Sequence, residues 1–311
     1  MRIFISGGAG FIGSHLCKKF LHEKHTVICV DNFITGDKRN VSELLKNKDF
    51  TLIEHDITKP LQIDGSLDWV FHFASPASPK DYLQYPIKTL KVGTLGTHIC
   101  LGIAKSKKAK FFMASTSEVY GDPSISPQPE EYWGNVNPVG PRSCYDEAKR
   151  AAEALTFAYN RQHNINTRLI RIFNTYGPFM RLDDGRVVSN FIHQALTGQD
   201  ITIYGDGFQT RSFCYVDDLV RGIIKYMDVD YSGPLNLGAP FEFTIKELAE
   251  KVIALTNSKS HLISMPLPQD DPKQRRPDIS KAIKLLGWEP EVTLEEGLKY
   301  TILYFKQRLS S

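Results

Sequence analysis

A glycine-rich run near the start of the chain places the tightest limit on how it folds. Residues 7–13 read Gly-Gly-Ala-Gly-Phe-Ile-Gly, between an apolar run typical of a strand and an amphipathic stretch typical of a helix. Glycines at this spacing allow a tight turn, close approach of the backbone to a pyrophosphate, and a helix N-terminus directed at its charge. The pattern predicts a dinucleotide-binding turn.

The residue that ends the next apolar run indicates which dinucleotide binds. Asp31 stands 18 residues beyond Gly13, where a carboxylate accepts hydrogen bonds from the adenosine ribose hydroxyls. A carboxylate there repels the 2′-phosphate of NADP, so the sequence predicts NAD.

Short apolar runs alternate with longer amphipathic stretches through the first half of the chain. The runs 2–6, 26–31, 50–55, 69–73, 110–115 and 166–173 are predicted as strands, and 11–23, 90–106 and a stretch starting near Tyr145 as helices. This alternation predicts an α/β fold, a doubly wound parallel sheet of the Rossmann type. We expect an NAD-binding domain at 1–173, to which about 213–235 returns, and a smaller C-terminal α/β substrate lobe at 174–311. Within that lobe, 201–204 is predicted as a strand, and 244–256 and 279–286 as helices.

Composition excludes several classes of protein. The hydrophobic share is 41%, the charged share 23% and the formal net charge +3, with Lys and Arg scattered, so no nucleic-acid partner is expected. Five widely spaced cysteines without a C-x-x-C pair indicate free thiols in a reducing compartment. With no long apolar run and no metal-ligand spacing among the histidines, we expect a cytoplasmic protein with no membrane partner and no metal.

Tyr145 and Lys149 form a Y-x-x-x-K pair at the start of a predicted helix. The i, i+4 spacing places both side chains on one helix face. A phenol with a pKa near 10 is a poor base at neutral pH, so a nearby ammonium has to favour the phenolate. With the glycine-rich turn and the upstream run that ends Ala114-Ser115-Thr116-Ser117-Glu118, this pair is a specific signal and not a chance spacing.

Together these motifs resemble the extended short-chain dehydrogenase/reductases over the whole chain. The resemblance rests on G-x-x-G-x-x-G at 7–13, on Thr116, Tyr145 and Lys149, and on Arg171-Ile172-Phe173-Asn174. Longer stretches are similar to the UDP-glucuronate decarboxylases within that group, which make UDP-xylose. These are the runs 74–79, 116–123, 127–141, 184–192, and Asp270-Asp271-Pro272 through Arg275 to Asp278.

The resemblance implies a site and a reaction. Tyr145 takes the proton of the sugar 4-hydroxyl while NAD oxidises C4, and the resulting 4-keto acid loses carbon dioxide before the same NAD restores C4. The implied catalytic residues are Tyr145, Lys149, Thr116, Glu118 and Arg275. The implied cofactor-binding residues are Gly7, Gly10, Phe11, Ile12, Gly13, Asp31, Asn32, Thr35, Gly36, Asp56, Ile57, Ser75, Tyr145 and Lys149. The implied substrate-binding residues are Lys91, Asn174, Arg186, Arg211 and Arg275.

Three alternatives stay open at this point. A dTDP- or UDP-hexose 4,6-dehydratase carries an Asp-Glu pair in the loop where this chain has Ser117-Glu118, and a serine hydroxyl is too weak an acid to expel water. A UDP-sugar 4-epimerase usually lacks the carboxylate at Glu118. A non-catalytic NAD-binding scaffold has no need of Tyr145 and Lys149. The resemblance also implies a homodimer through the helices predicted near 90–106 and 145–162.

Overall fold

Seven parallel strands form the central sheet of the computed structural model, which describes residues 1–267 and 274–310. In chain order the strands are β1 Arg2–Ser6, β2 Thr26–Asp31, β3 Phe50–Glu54, β4 Trp69–His72, β5 Lys110–Thr116, β6 Thr167–Ile172, β7 Thr175–Tyr176, β8 Ile201–Tyr204, β9 Thr210–Ser212, β10 Cys214–Tyr215, β11 Pro234–Leu237, β12 Glu242–Thr244, β13 Leu262–Met265 and β14 Gln274–Arg275. The central sheet runs β11-β6-β5-β4-β1-β2-β3. The predicted doubly wound parallel sheet is confirmed.

Ten α-helices are described, some against the central sheet and others beside the smaller sheets. In chain order they are α1 Phe11–His22, α2 Pro79–Gln84, α3 Pro86–Lys91, α4 Thr97–Lys107, α5 Ser143–His163, α6 Val187–Leu196, α7 Val216–Met227, α8 Ile245–Thr256, α9 Ser280–Leu286 and α10 Leu294–Leu309. Two 3-10 segments, Lys38–Lys46 and Ser117–Tyr120, and a π-helical segment, Val92–Gly96, complete the described elements.

Alternate residues of the central strands feed two separate apolar clusters. Ile3 and Ile5 of β1 belong to a cluster that also holds residues of α1, α7 and α10, whereas Phe4 belongs to one that holds residues of α4. Both faces of the central sheet are therefore buried, which explains why its strands are continuous apolar runs in the sequence.

The helix predicted at 90–106 is interrupted. The structure has α3, then the π-helical segment, then α4. A β-carbon added at Gly93 would lie 2.6 Å from Cβ of Ala148, so this segment packs directly on α5. The Thr97 hydroxyl donates to the Gly93 carbonyl oxygen at 2.7 Å, which supports the local departure from α-helical geometry.

The chain beyond β6 forms smaller sheets and returns once to the large one. β7 pairs with β10, β8 with β13, and β9 lies between β12 and β14. Within the predicted return segment, α7 leads into β11, which pairs with β6 and ends at Leu237. One apolar cluster runs from Ile3 to Phe305, so the two-domain division stays a prediction.

Gly13 tests how tightly the first turn is packed. A β-carbon there would lie 2.1 Å from the Gly7 carbonyl oxygen. Because that oxygen belongs to the backbone, the turn itself would have to shift to make room. We expect Gly13→Ala to lower the free energy of unfolding by about 1–3 kcal/mol or more, measured by chemical denaturation. Gly102→Ala is the matched control because its β-carbon meets nothing within 4 Å inside α4, where alanine favours the helix by about 1 kcal/mol. A Gly13→Ala protein that is as stable as Gly102→Ala would contradict this packing.

Candidate active site

The glycine-rich turn connects β1 to α1 at the carboxyl edge of the sheet. Gly7 has φ +76°, and a β-carbon there would lie 2.6 Å from the Ala74 backbone nitrogen. Gly10 occupies the N-cap of α1 and contributes no side-chain cap to its first turn. A β-carbon on Gly10 would meet only the Gly7 carbonyl oxygen, at 3.2 Å, and would otherwise project into open space. The turn therefore leaves an uncapped helix N-terminus facing a cradle, which suits a pyrophosphate.

Asp31 ends β2 beside this turn. Its carboxylate accepts hydrogen bonds from the backbone N–H groups of Ala9 at 3.0 Å and Phe33 at 2.9 Å. A β-carbon on Gly36 would lie 2.7 Å from the Asp31 carboxylate, so no side chain can stand between them. Burial raises the pKa of Asp31, and the backbone N–H groups of Phe33 and Ala9 partly offset that rise. The carboxylate is thus fixed in place next to the turn.

One cavity of about 620 Å³ extends from this turn along the carboxyl ends of the central strands. A volume of that size is typical of small-molecule and cofactor sites. The sequence-predicted residues that line it are Gly7, Gly10, Phe11, Ile12, Gly13, Thr35, Ser75, Thr116, Glu118, Tyr145, Lys149, Asn174, Arg186, Arg211 and Arg275. The fold has brought together residues predicted for cofactor, sugar and catalysis.

Six predicted residues are absent from the described lining of this cavity. They are Asp31, Asn32, Gly36, Asp56, Ile57 and Lys91. Asp31 and Gly36 lie directly beside the turn, as described above. Lys91 is exposed at the end of α3, and a contact with substrate stays a prediction for it, as a contact with cofactor does for Asn32, Asp56 and Ile57. The predicted run Asp270-Asp271-Pro272 lies outside the described residues.

Tyr145 and Lys149 lie on the first two turns of α5, and both are buried. The Lys149 Nζ atom donates to the Ala114 carbonyl oxygen at 2.8 Å and lies 5.9 Å from the centroid of the Tyr145 ring. Burial lowers the pKa of Lys149 to about 8, against the opposing charge of Glu153. Burial likewise raises the pKa of Tyr145, while its hydrogen bond with Thr116 lowers it. A phenol, a hydroxyl and an ammonium therefore converge, as proton transfer requires.

Glu118 lies in the 3-10 turn after β5, where two arginines converge on its carboxylate. Arg275 Nη1 lies 3.1 Å from Glu118 Oε1, and Arg142 Nη2 forms a short ion pair with Oε2. Arg275 also donates to the Gly121 carbonyl oxygen at 2.8 Å. Burial opposes ionisation of Glu118, but the charges of Arg275, Arg142 and Arg211 outweigh it and lower the pKa. Glu118 is thus held as a carboxylate.

Sequence reasoning missed three residues around this cluster. Arg142 precedes α5 by one residue, and Tyr82 of α2 stacks on Tyr145 with ring centroids 5.1 Å apart and an interplanar angle of 8°. Asp146 directly follows Tyr145 and is 6% exposed. Burial, with a smaller effect of Glu118, raises the pKa of Asp146 to about 7. Position was the signal available in the sequence: Asp146 adjoins Tyr145, Arg142 directly follows the 127–141 run, and Tyr82 lies three residues beyond the 74–79 run.

Asn174, Arg186 and Arg211, which are predicted to bind substrate, come from the C-terminal half of the chain. Arg186 precedes α6 and pairs with Asp184, with Nε 2.5 Å from Oδ1. Arg211 lies in β9, where its Nη1 atom donates to the Thr210 carbonyl oxygen at 2.8 Å. The Asn174 carbonyl oxygen accepts a hydrogen bond from the Cys214 backbone at 2.9 Å, which ties the end of β6 to β10. Arg186 and Arg211 both line the cavity, and the Arg186 guanidinium lies 5.9 Å from the ring centroid of Phe11 in the glycine-rich turn.

The described residues fit NAD. The cradle at Gly10, the uncapped N-terminus of α1 and the fixed Asp31 carboxylate supply space, N–H donors and a ribose acceptor, respectively. Within 1–267 and 274–310, no three His, Cys, Asp or Glu side chains form a group that could hold a metal ion. All five cysteines are buried free thiols. The described helices include none that is both long and apolar enough to cross a membrane.

Comparisons with known proteins agree with this geometry. Residues 3–238 match the model of the NAD dependent epimerase/dehydratase family. The chain is 55% identical over 308 residues to UDP-glucuronic acid decarboxylase 1 of Danio rerio, covering 99% of this chain and 73% of that protein. It is also 55% identical over 311 residues to UDP-glucuronic acid decarboxylase 3 of Arabidopsis thaliana, covering 100% and 90%. The structure of UDP-glucuronic acid 4-epimerase from Bacillus cereus with UDP-glucuronic acid and NAD superposes with a TM-score of 0.86 at 30% identity, covering 99% and 100%.

Proposed function

This chain belongs to the NAD dependent epimerase/dehydratase family and, within it, to the UDP-glucuronic acid decarboxylases, and we propose that it converts UDP-glucuronate to UDP-xylose and carbon dioxide through a 4-keto sugar. The observation that carries the proposal is the convergence of Arg142 and Arg275 on Glu118 in the cavity that holds Tyr145. A sugar with a carboxylate at C6 suits such a site, because guanidinium groups bind carboxylates strongly.

NAD is the cofactor, and when bound it would supply hydride transfer from and back to C4 of the sugar. The chain's own part is to hold and orient it. The turn at 7–13 supplies backbone N–H groups for the pyrophosphate, and Asp31 supplies the ribose acceptor.

Tyr145 is the base for the sugar 4-hydroxyl in this proposal. Burial raises the pKa of Tyr145, so it needs the Lys149 ammonium and the positive charge that oxidised NAD would bring to become a phenolate. Thr116 is the hydrogen-bond partner that lowers the pKa of Tyr145. Both hydroxyls then face the same sugar oxygen.

Loss of carbon dioxide follows from the position of the ketone. A ketone at C4 is β to the C6 carboxylate, so the electron pair of the C5–C6 bond passes to the ketone oxygen as carbon dioxide leaves. Tyr145 and Thr116 donate hydrogen bonds to that oxygen as its charge grows. In this step Arg275 and Arg142 bind and orient the C6 carboxylate. They exchange no proton or electron with it.

The alternative reactions fit this site less well. A 4,6-dehydratase needs a proton donor for the leaving C6 hydroxyl, and the described loop offers Ser117 at that point and a Glu118 held in its anionic form. A 4-epimerase needs no carboxylate at Glu118 and no arginine pair to hold it.

Arg186, Arg211 and Asn174 are proposed to bind the nucleotide diphosphate and sugar. Arg211 is 9% exposed and lies between β12 and β14, the strand that carries Arg275. Guanidinium groups in such positions make bidentate contacts with phosphate.

Turnover by the wild type and by Tyr145→Phe tests the proposed function. We expect the wild type, supplied with UDP-glucuronate and NAD, to release carbon dioxide and form UDP-xylose while the absorbance of reduced nicotinamide stays flat. Removing the phenol should slow turnover by about 10² to 10⁴, because only the proton transfer is lost, with NAD affinity unchanged. Mass spectrometry gives the products and calorimetry the affinity. A Tyr145→Phe enzyme with wild-type activity would rule out this base.

Arg275 should discriminate the acid substrate from its neutral analogue. A charge-assisted pair with the C6 carboxylate is worth about 1.5–3 kcal/mol, so Arg275→Ala should weaken binding of UDP-glucuronate by roughly one to two powers of ten. Binding of UDP-glucose and UDP should change much less, as calorimetry can measure. Arg276→Ala is the matched control, since Arg276 is the next residue and lies outside the described lining. An equal loss for all three ligands would instead assign Arg275 to the diphosphate.

A homodimer is proposed through α3, the π-helical segment and α4, with α5. Ile87, Leu90 and Leu95 are apolar yet 68%, 40% and 48% exposed on this side of the molecule. Leu101, which lies within the predicted 90–106 helix, is fully buried and belongs to the protein's own core. Exposed apolar side chains clustered on neighbouring turns favour association with a second copy.

Light scattering tests the dimer. We expect a dimer mass for the wild type and a monomer mass for Leu95→Glu, because the substitution places a charge on the apolar face. Leu303→Glu is the control, since Leu303 is 57% exposed on α10, away from this face. A wild-type mass that stays monomeric at every concentration would contradict the proposal. A cytoplasmic location, inferred from the cysteine pattern, likewise stays a prediction.

A further inference from the structure

The backbone of Arg275 is held on two sides, while its side chain lines the cavity. On one side, β14 pairs in parallel with β9, so that Arg275 lies opposite Arg211. On the other side, the residues that directly follow Arg275 lie against Gln128, which belongs to the loop between β5 and α5. The direction of the Arg275 guanidinium therefore depends partly on contacts that its own side chain does not make.

Gln128 attaches to this segment through its backbone and its side chain. Its backbone N–H donates to the Arg276 carbonyl oxygen at 2.9 Å, and its carbonyl oxygen accepts from the Asp278 N–H at 3.0 Å. Its side-chain Oε1 accepts from the Arg276 N–H at 2.9 Å, while Nε2 donates to the Ile125 carbonyl oxygen at 2.7 Å. Gln128 is fully buried, and its amide supplies an acceptor and a donor together, which neither a carboxylate nor an apolar side chain does.

The loop that carries Gln128 is in turn fixed to the central sheet. The side-chain nitrogen of Asn236, a buried residue of β11, donates to the Gln128 carbonyl oxygen at 2.9 Å. The side-chain oxygen of Asn236 accepts from the Tyr120 hydroxyl at 2.8 Å, and Tyr120 belongs to the same 3-10 turn as Glu118. Gln128 therefore joins the segment after Arg275 to the turn that carries the partner of its guanidinium.

The Arg275 guanidinium has little freedom to adjust if that segment moves. Arg275 is 1% exposed, and its Nη2 atom donates to the Gly121 carbonyl oxygen at 2.8 Å while Nη1 lies 3.1 Å from Glu118 Oε1. Because N–H···O hydrogen bonds span about 2.7–3.2 Å, a displacement of about 1 Å would break these contacts. The guanidinium would then no longer face a bound carboxylate at the distance that a strong ion pair requires.

We propose that Gln128 is a positioning residue for Arg275. By holding the backbone of the next residue against the loop after β5, it directs the Arg275 guanidinium at the C6 carboxylate of the sugar. The site thereby selects an acidic over a neutral nucleotide sugar. Gln128 is outside the described cavity lining, so it acts through Arg275 and does not touch the substrate. This inference rests on the proposed function, which supplies the carboxylate.

Calorimetry on Gln128→Met tests this role. Methionine has a similar length and no branch, but it lacks the amide donor and carries a weak sulfur acceptor. We expect the affinity for UDP-glucuronate to fall by about fivefold to tenfold, and the affinities for UDP-glucose and UDP by less than about twofold. A merely structural role would weaken all three ligands alike. The ratio of the UDP-glucuronate affinity to the UDP-glucose affinity is therefore the readout.

The double variant Gln128→Met/Arg275→Ala shows whether Gln128 acts through Arg275. We expect it to bind UDP-glucuronate as weakly as Arg275→Ala alone, because the interaction that Gln128 supports is then already absent. Gln194→Met is the matched control. The Gln194 side chain also accepts from one backbone N–H, that of Thr202 at 3.2 Å, and donates to the Thr202 hydroxyl at 3.0 Å, but it joins α6 to β8. Its ratio of affinities should equal that of the wild type.

A second variant replaces Gln128→Met if that protein does not fold. Gln128→Asn keeps the amide, but its side chain is one methylene shorter and cannot contact Arg276 and Ile125 together. Its ratio of affinities should fall by about threefold. Circular dichroism and the melting temperature establish that each variant is folded before its affinities are compared.

The outcomes separate this inference from the proposed function. A wild type that releases no carbon dioxide from UDP-glucuronate overturns the proposed function and this inference with it. An active wild type overturns the inference alone under any of three results. These are an unchanged ratio of affinities in the folded Gln128 variant, an equal loss for all three ligands, and losses that add in the double variant.

Discussion

Parallel strands end at one edge of a sheet, and every function inferred for this chain depends on that constraint. The glycine-rich turn follows β1, Asp31 ends β2, Thr116 ends β5 and Asn174 follows β6. Because these strands lie side by side with the strand order reversing at β1, their ends open onto one crevice. The helices that follow them add the uncapped N-terminus of α1 and, from α5, Tyr145 and Lys149.

The charges around Glu118 determine which carboxyl groups in the crevice are ionised. Two guanidinium groups contact one buried carboxylate, and a second carboxyl group, Asp146, lies close enough for its pKa to respond to the first. When a substrate carboxylate enters, three acids compete for the same cations, and the likelihood that one of them carries a proton rises. Departure of carbon dioxide moves the negative charge from the carboxylate to the enolate oxygen, and protonation of C5 then removes it.

Much of the fold, but less of the site, was accessible from the sequence. The bounds of β1, β2 and β8 agree with the predicted runs, because buried parallel strands are continuous apolar segments between turn residues. α10 was missed, although Thr293 and Glu296 carry the spacing of an N-terminal capping signal and the Thr293 side chain accepts from the Glu296 backbone. The pairing of Arg275 with Glu118 joins residues 157 apart in sequence, and no local pattern indicates it. The raised pKa of Asp146 arises from burial and from neighbours on other elements, so only the folded chain reveals it.

In the proposed reaction, hydrogen leaves C4 of UDP-glucuronate and returns to the same carbon, with carbon dioxide lost in between. Turnover of UDP-glucuronate labelled with deuterium at C4, followed by mass spectrometry and nuclear magnetic resonance of the product, measures this directly. We expect UDP-xylose that retains the deuterium at C4 and carries a solvent hydrogen at C5. A product that has lost the C4 label, or that keeps its carboxylate, would contradict this reaction.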